Sequence, residues 1–211
     1  MNGLSRILGS IVAANSERVF DEDEIRYGLE IFLGGLLQIL LLIAVGWSLG
    51  ILKQLLAIMF SSGFYRRYAG GAHCTAYYRC TMTCLITFPV LAYSARFIDS
   101  QYFIIYSVFI MLFSLAMVYL KAPIDTEVKP VTDPQKRFNL KLRAAGLVVI
   151  LLITSFFTQW LGKDLIAIGI LLGICWQTLT MTHLGVIYVR FWDIILSNWW
   201  VNNMEKEEMK C

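Results

Sequence analysis

His73 and Cys80 are the residues of this chain best suited to covalent chemistry. A thiol becomes a useful nucleophile when a neighbouring base takes its proton or a neighbouring cation favours the thiolate. The same base can then protonate a leaving amine. Seven residues separate the two, which on a helix is about two turns and would place both side chains on one face. They lie in RRYAGGAHCTAYYRC, residues 66–80, where Arg66, Arg67 and Arg79 add positive charge. Gly70 and Gly71 allow backbone conformations closed to other residues, so amide N–H groups there could face a developing oxyanion, as acyl transfer requires. Thiol catalysis is the expectation.

The same residues admit other readings. His73, Cys74, Cys80 and Cys84 could ligate zinc, but they lack the paired CxxC or HxxxH spacings of such sites. Cys84 and Cys175 fall inside apolar runs, where cysteine usually acts as a small hydrophobe. The arginines could merely anchor a span to phosphate headgroups, which leaves His73 unexplained. Between Arg66 and Cys80 there is no Asp, Glu or Asn. Whatever orients His73 must therefore come from another segment or from backbone, unless the site is a dyad.

The elements that position these residues belong in a membrane. With 58% hydrophobic residues, 16% charged and a mean hydropathy of +0.65, the composition points to an all-α polytopic membrane protein forming one domain over residues 1–211. Apolar runs fall near residues 29–46, 50–65, 81–97, 102–120, 144–161 and 165–189, each close to the roughly 17–25 residues that cross a bilayer. The first two form one stretch, broken at Gly46-Trp47-Ser48-Leu49-Gly50, where a tight turn at the far interface is expected with Trp47 and Lys53 as anchors. Leu4, Ile7, Leu8, Ile11 and Val12 recur at helical spacing, so residues 1–27 are expected to hold an interfacial amphipathic helix.

Six spans with both termini on one side leave only Lys53, Arg96 and Lys163, of 18 Lys and Arg, on the other. That bias predicts a multi-pass cell-membrane protein whose termini and catalytic segment, 66–80, face the cytoplasm. The connection over 121–143 contains Pro123, Pro130 and Pro134 and is expected to be a loop. Its Lys129, Lys136, Arg137, Lys141 and Arg143 either fix topology against anionic lipid or dock an acidic peptide. The polar tail, 198–211, is expected to be frayed. A peptide permease or a noncatalytic scaffold would also suit six spans, although the chain shows no P-loop and no tandem repeat of spans.

The stretch 66–80 resembles the signature of the accessory gene regulator B (AgrB) family of Gram-positive quorum sensing. That signature comprises an arginine, then a glycine, a histidine and a cysteine seven residues past it. Here these are Arg66, Gly71, His73 and Cys80. Length, apolar segments, amphipathic N-terminal stretch and the basic connection with Lys129-Pro130 extend the resemblance over most of the chain. It implies a membrane cysteine endopeptidase that processes an AgrD-type propeptide. Cys80 would attack the bond after the future ring and retain the N-terminal part as a thioester, while His73 assists and Arg66 and Gly71 support the site. A propeptide cysteine would then close a thiolactone. The implied partners are that propeptide and anionic membrane lipid, with a homodimer open. No cofactor, metal or nucleic acid is expected.

Overall fold

The computed structural model describes residues 22–124 and 132–208. Most of the expected amphipathic segment, and Lys129 with Pro130, lie outside them. The described residues form seven helices and no strand: α1 (Glu22–Ser48), α2 (Leu52–Ala69), α3 (Tyr77–Ser94), α4 (Phe103–Lys121), α5 (Pro134–Trp160), α6 (Asp164–Thr180) and α7 (His183–Glu208), with short 3₁₀ turns between α3 and α4. This is an all-α membrane architecture. The segments 77–97, 100–121 and 134–160 are each long and apolar enough to cross a bilayer.

The expected break between the first two apolar runs is present. Gly50 takes φ +64, Ile51 N–H donates to Gly46 O at 2.9 Å, and Arg96 closes the corner by donating to Gly50 O at 2.8 Å. The α2 segment, however, is the central helix of the bundle and, with Lys53, Arg66 and Arg67 in its 18 residues, falls short of the apolarity of a span. It buries Gln54, Ser61, Ser62 and Tyr65. The two serines satisfy their hydroxyls on carbonyls one turn back, Ser61 on Ala57 O at 2.6 Å and Ser62 on Ile58 O at 2.7 Å. The two serine hydroxyls are therefore paired inside, whereas Gln54 Nε2 is buried without a hydrogen-bond partner among the described residues. Gly169 and Gly173 of α6 let the backbones of α2 and α6 approach. A Cβ at Gly169 would stand 2.9 Å from Gln54 O, and one at Gly173 2.8 Å from Ile58 O.

Three expectations are corrected. The run 165–189 is two helices, α6 and α7, bent by 86° across Met181-Thr182. Thr182 Oγ1 accepts from Gly185 N–H at 3.2 Å and so starts the new helix. Apolar content reports depth, not direction, so the bend leaves no mark on hydropathy. The basic connection is a loop only in part. Asp133 caps α5 by accepting from Gln135 N–H at 2.9 Å and Pro134 occupies its first turn, where proline is tolerated. Lys136, Arg137, Lys141 and Arg143 therefore stand on a helix. The tail, finally, continues α7 to Glu208, as its run of helix-favouring Glu and Lys allows.

Candidate active site

The site is built where α2 ends. Gly70 follows the last helical residue with φ +71, and its N–H donates to Arg66 O at 2.9 Å, closing the helix through a conformation glycine adopts readily. Residues 70–76 then run back as a non-helical segment to Ala76, whose extended backbone starts α3 at Tyr77. His73 and Cys80 are thus not two turns apart on one helix. The 70–76 segment instead carries His73 back beside the first turn of α3, close enough for it and Arg66 to act on the Cys80 thiol.

Neighbouring helices fix the segment along its length. Gln177 of α6 donates to Gly70 O at 2.6 Å, and Ala72 N–H donates to Thr180 O at 3.1 Å. Gly71 has φ +149, and a Cβ there would fall 2.7 Å from Thr180 Oγ1 and 3.2 Å from Gln177 Nε2. Glycine is required at this position by both torsion and space. Arg66 reaches across the segment, donating through Nη2 to Ala72 O and to His73 Nδ1 at 3.0 Å. A guanidinium only donates, so Nδ1 accepts in this contact and Nε2 is left clear of Arg66.

Cys80 lies in the first turn of α3, with its N–H on Ala76 O at 3.3 Å. The side chains of Cys74, Cys84, His73 and Arg66 stand near enough to its sulfur to act on its charge. The positive end of the α3 dipole faces the same sulfur. Cys74 holds its proton. Its thiol is pushed well up, first by the hydrogen bond with Cys80 and then by burial, and it also meets Thr83 Oγ1 at 3.8 Å. Among the described residues no three His, Cys, Asp or Glu side chains form a group suited to a metal ion.

Two expectations change here. The Gly70 amide already bonds Arg66 O and so is not available to an oxyanion, which leaves the Gly71 amide as the one of the pair without such a bond among the described residues. Arg79 is turned away from Cys80. It donates to Tyr78 Oη and Thr75 Oγ1, both at 2.9 Å, and to Asp193 at 3.3 Å. Asp193, on α7, also accepts from Thr75 N–H at 3.2 Å and from Thr75 Oγ1 at 2.9 Å. It lies 118 residues from Thr75, beyond any local pattern. The one available signal was an acid amid FWDIILSNWW, since a carboxylate within apolar sequence marks a functional candidate.

The proposed docking cations lie elsewhere. Arg137 donates to Pro123 O at 3.1 Å and Lys141 to Tyr119 O at 2.8 Å, tying α5 to the end of α4. Lys136 and Arg143 are exposed on α5, and Lys129 is outside the described residues.

The family model described as Accessory gene regulator B matches residues 5–181. An AgrB-like protein of Clostridium perfringens (strain SM101 / Type A) is 26% identical over 208 residues, covering 92% of this chain and 96% of the relative. A second, AgrB-like protein 2 of C. perfringens (strain 13 / Type A), is 24% identical over 211 residues with the same coverage. An AgrB-like protein of Listeria monocytogenes serotype 4a is 29% identical over 163 residues, covering 75% of this chain and 79% of its own length. No solved structure matches.

Proposed function

The chain belongs to the accessory gene regulator B family, and on that premise we propose that it is a membrane cysteine endopeptidase cleaving an AgrD-type propeptide through a thioester on Cys80. The observation that supports this reading is the Arg66 contact to His73 Nδ1 at 3.0 Å, in the segment that leads back to the first turn of α3 where Cys80 lies. His73 takes the Cys80 thiol proton as Cys80 Sγ attacks the carbonyl carbon of the bond after the future ring. Charge on the tetrahedral oxygen is met by Arg66 and the positive end of α3. His73 delivers a proton to the leaving nitrogen, the C–N bond breaks, and the C-terminal peptide departs. The N-terminal part stays on sulfur.

While Nδ1 accepts from Arg66 the ring proton sits on Nε2, so once Arg66 swings off, that proton moves to Nδ1 and frees Nε2 to take the Cys80 thiol proton. Substrate entry supplies the occasion, as the guanidinium transfers to the scissile carbonyl. A cysteine of the propeptide then attacks the thioester, forming the thiolactone and returning Cys80 with its proton. A segment walled by α2, α6 and α7 near hydrocarbon limits water, which favours this intramolecular attack over hydrolysis. Exposed Lys136 and Arg143 receive the acidic tail of the propeptide.

Mass spectrometry of propeptide incubated with the purified protein in liposomes tests the reading. Two peptide products support it. Intact propeptide appearing across the bilayer would instead make the protein a transporter.

A further inference from the structure

We propose that Asp193 is the positioning residue that completes the site, its carboxylate gripping Thr75 and Arg79 so that the 70–76 segment holds His73 against Cys80. The proposal rests on the reading of His73 and Cys80 as the reacting pair, and it supplies the carboxylate missing from residues 66–80. Asp193 lies beyond residue 181, where the family match ends.

The contact set is a fitted one. Thr75 Oγ1 accepts from Arg79 at 2.9 Å while its single proton goes to Asp193 Oδ2 at 2.9 Å, and Thr75 N–H goes to Oδ1 at 3.2 Å. Arg79 adds a charge-assisted contact to Oδ1 at 3.3 Å. Both charged side chains are mostly covered, with relative exposures of 19% for Arg79 and 14% for Asp193, so solvent screens the pair less than at an open surface.

The fold places Asp193 there deliberately. The 86° bend between α6 and α7 turns α7 across α3. Tyr188 then bonds Thr87 Oγ1 at 2.8 Å, and its ring packs edge-on against Trp176 at 5.2 Å. Asp193 stands just over one turn further along, at the mouth of the 70–76 segment. Gln177 and Thr180 hold the early half of that segment, at Gly70 and Ala72. Asp193 holds the late half at Thr75. His73 lies between the two clamps, and losing the second frees the side of the segment that faces Cys80.

The test reads Cys80 without any propeptide, through its rate of alkylation by iodoacetamide in the full chain in liposomes, followed on the Cys80 peptide by mass spectrometry. Asp193→Asn should slow alkylation roughly ten- to a hundredfold, the range expected when a catalytic partner is displaced by near 1 Å. His73→Ala should slow it similarly, and Asp193→Asn should add nothing in the His73→Ala background, because it acts through His73. Thr75→Val, which keeps the Asp193–Arg79 pair, should give a smaller loss that also vanishes without His73, and it decides the matter if Asp193→Asn does not fold. Wild-type alkylation in both variants, or equal losses with and without His73, overturns the proposal. If the cycle behaves as stated but wild-type protein leaves propeptide intact, the clamp stands and the assigned substrate falls.

Discussion

Replacing Gly71 with alanine adds one methyl group at a tightly packed point of the site. Its Cβ would stand 2.7 Å from Thr180 Oγ1, 3.2 Å from Gln177 Nε2 and 3.4 Å from Arg66 Nη1. The first of these is about 0.7 Å inside ordinary contact. At φ +149 a residue with a side chain adds strain on the order of 1–3 kcal/mol. Retreat of the segment also breaks the Gln177 bond to Gly70 O, worth about 1 kcal/mol. Together these predict a stability loss of roughly 2–4 kcal/mol. His73, two residues on, moves with the segment, and a displacement near 1 Å lowers the cleavage rate by about a hundredfold. Propeptide turnover in liposomes, paired with thermal unfolding in detergent, measures both. Gly63→Ala is the control, because nothing lies within 4 Å of its added Cβ. Gly71→Ala protein turning over at the wild-type rate would refute the requirement for glycine.

Other substitutions separate the roles further. Cys80→Ala and His73→Ala should each abolish cleavage, while Cys84→Ala, one turn deeper on α3, keeps most of it; full activity in Cys80→Ala ends the nucleophile assignment. Arg66→Lys keeps the charge but loses the fork that reaches Ala72 O and His73 together. It should lower kcat about ten- to a hundredfold, as loss of a charge-assisted bond implies, and unchanged kcat would leave only a headgroup anchor. Lys136→Gln with Arg143→Gln should raise KM for the propeptide and flatten its salt dependence while sparing the single-turnover rate. An unchanged KM at low salt removes the docking role. Lys141→Gln should instead lower the unfolding temperature, since Lys141 bonds Tyr119 O at the end of α4.

The candidate pair was legible in the sequence and its geometry was not. Residue types alone single out His73 and Cys80, and the spacing of seven suggested a shared helical face, yet Gly70 breaks the helix and a folded segment brings the pair together. The Gly-Gly pair takes positive φ at both positions, as the sequence suggested, and the Gly70 amide serves the helix end at Arg66 O. Hydropathy found the break at Gly50 because glycine and tryptophan mark it. It missed the bend at Thr182, where a threonine cap redirects an apolar chain without any change in composition. Asp193 was out of reach because only that bend carries it to Thr75.

The central claim is a covalent one, and trapping the intermediate tests it most directly. Wild-type protein in liposomes, quenched in acid soon after mixing with propeptide, should show the Cys80 peptide heavier by the N-terminal part of the propeptide. Neutral hydroxylamine should release that mass, as a thioester requires. Cys80→Ala should show no adduct and no cleavage. Propeptide cut with no adduct on Cys80, or cut equally by Cys80→Ala, would contradict the account.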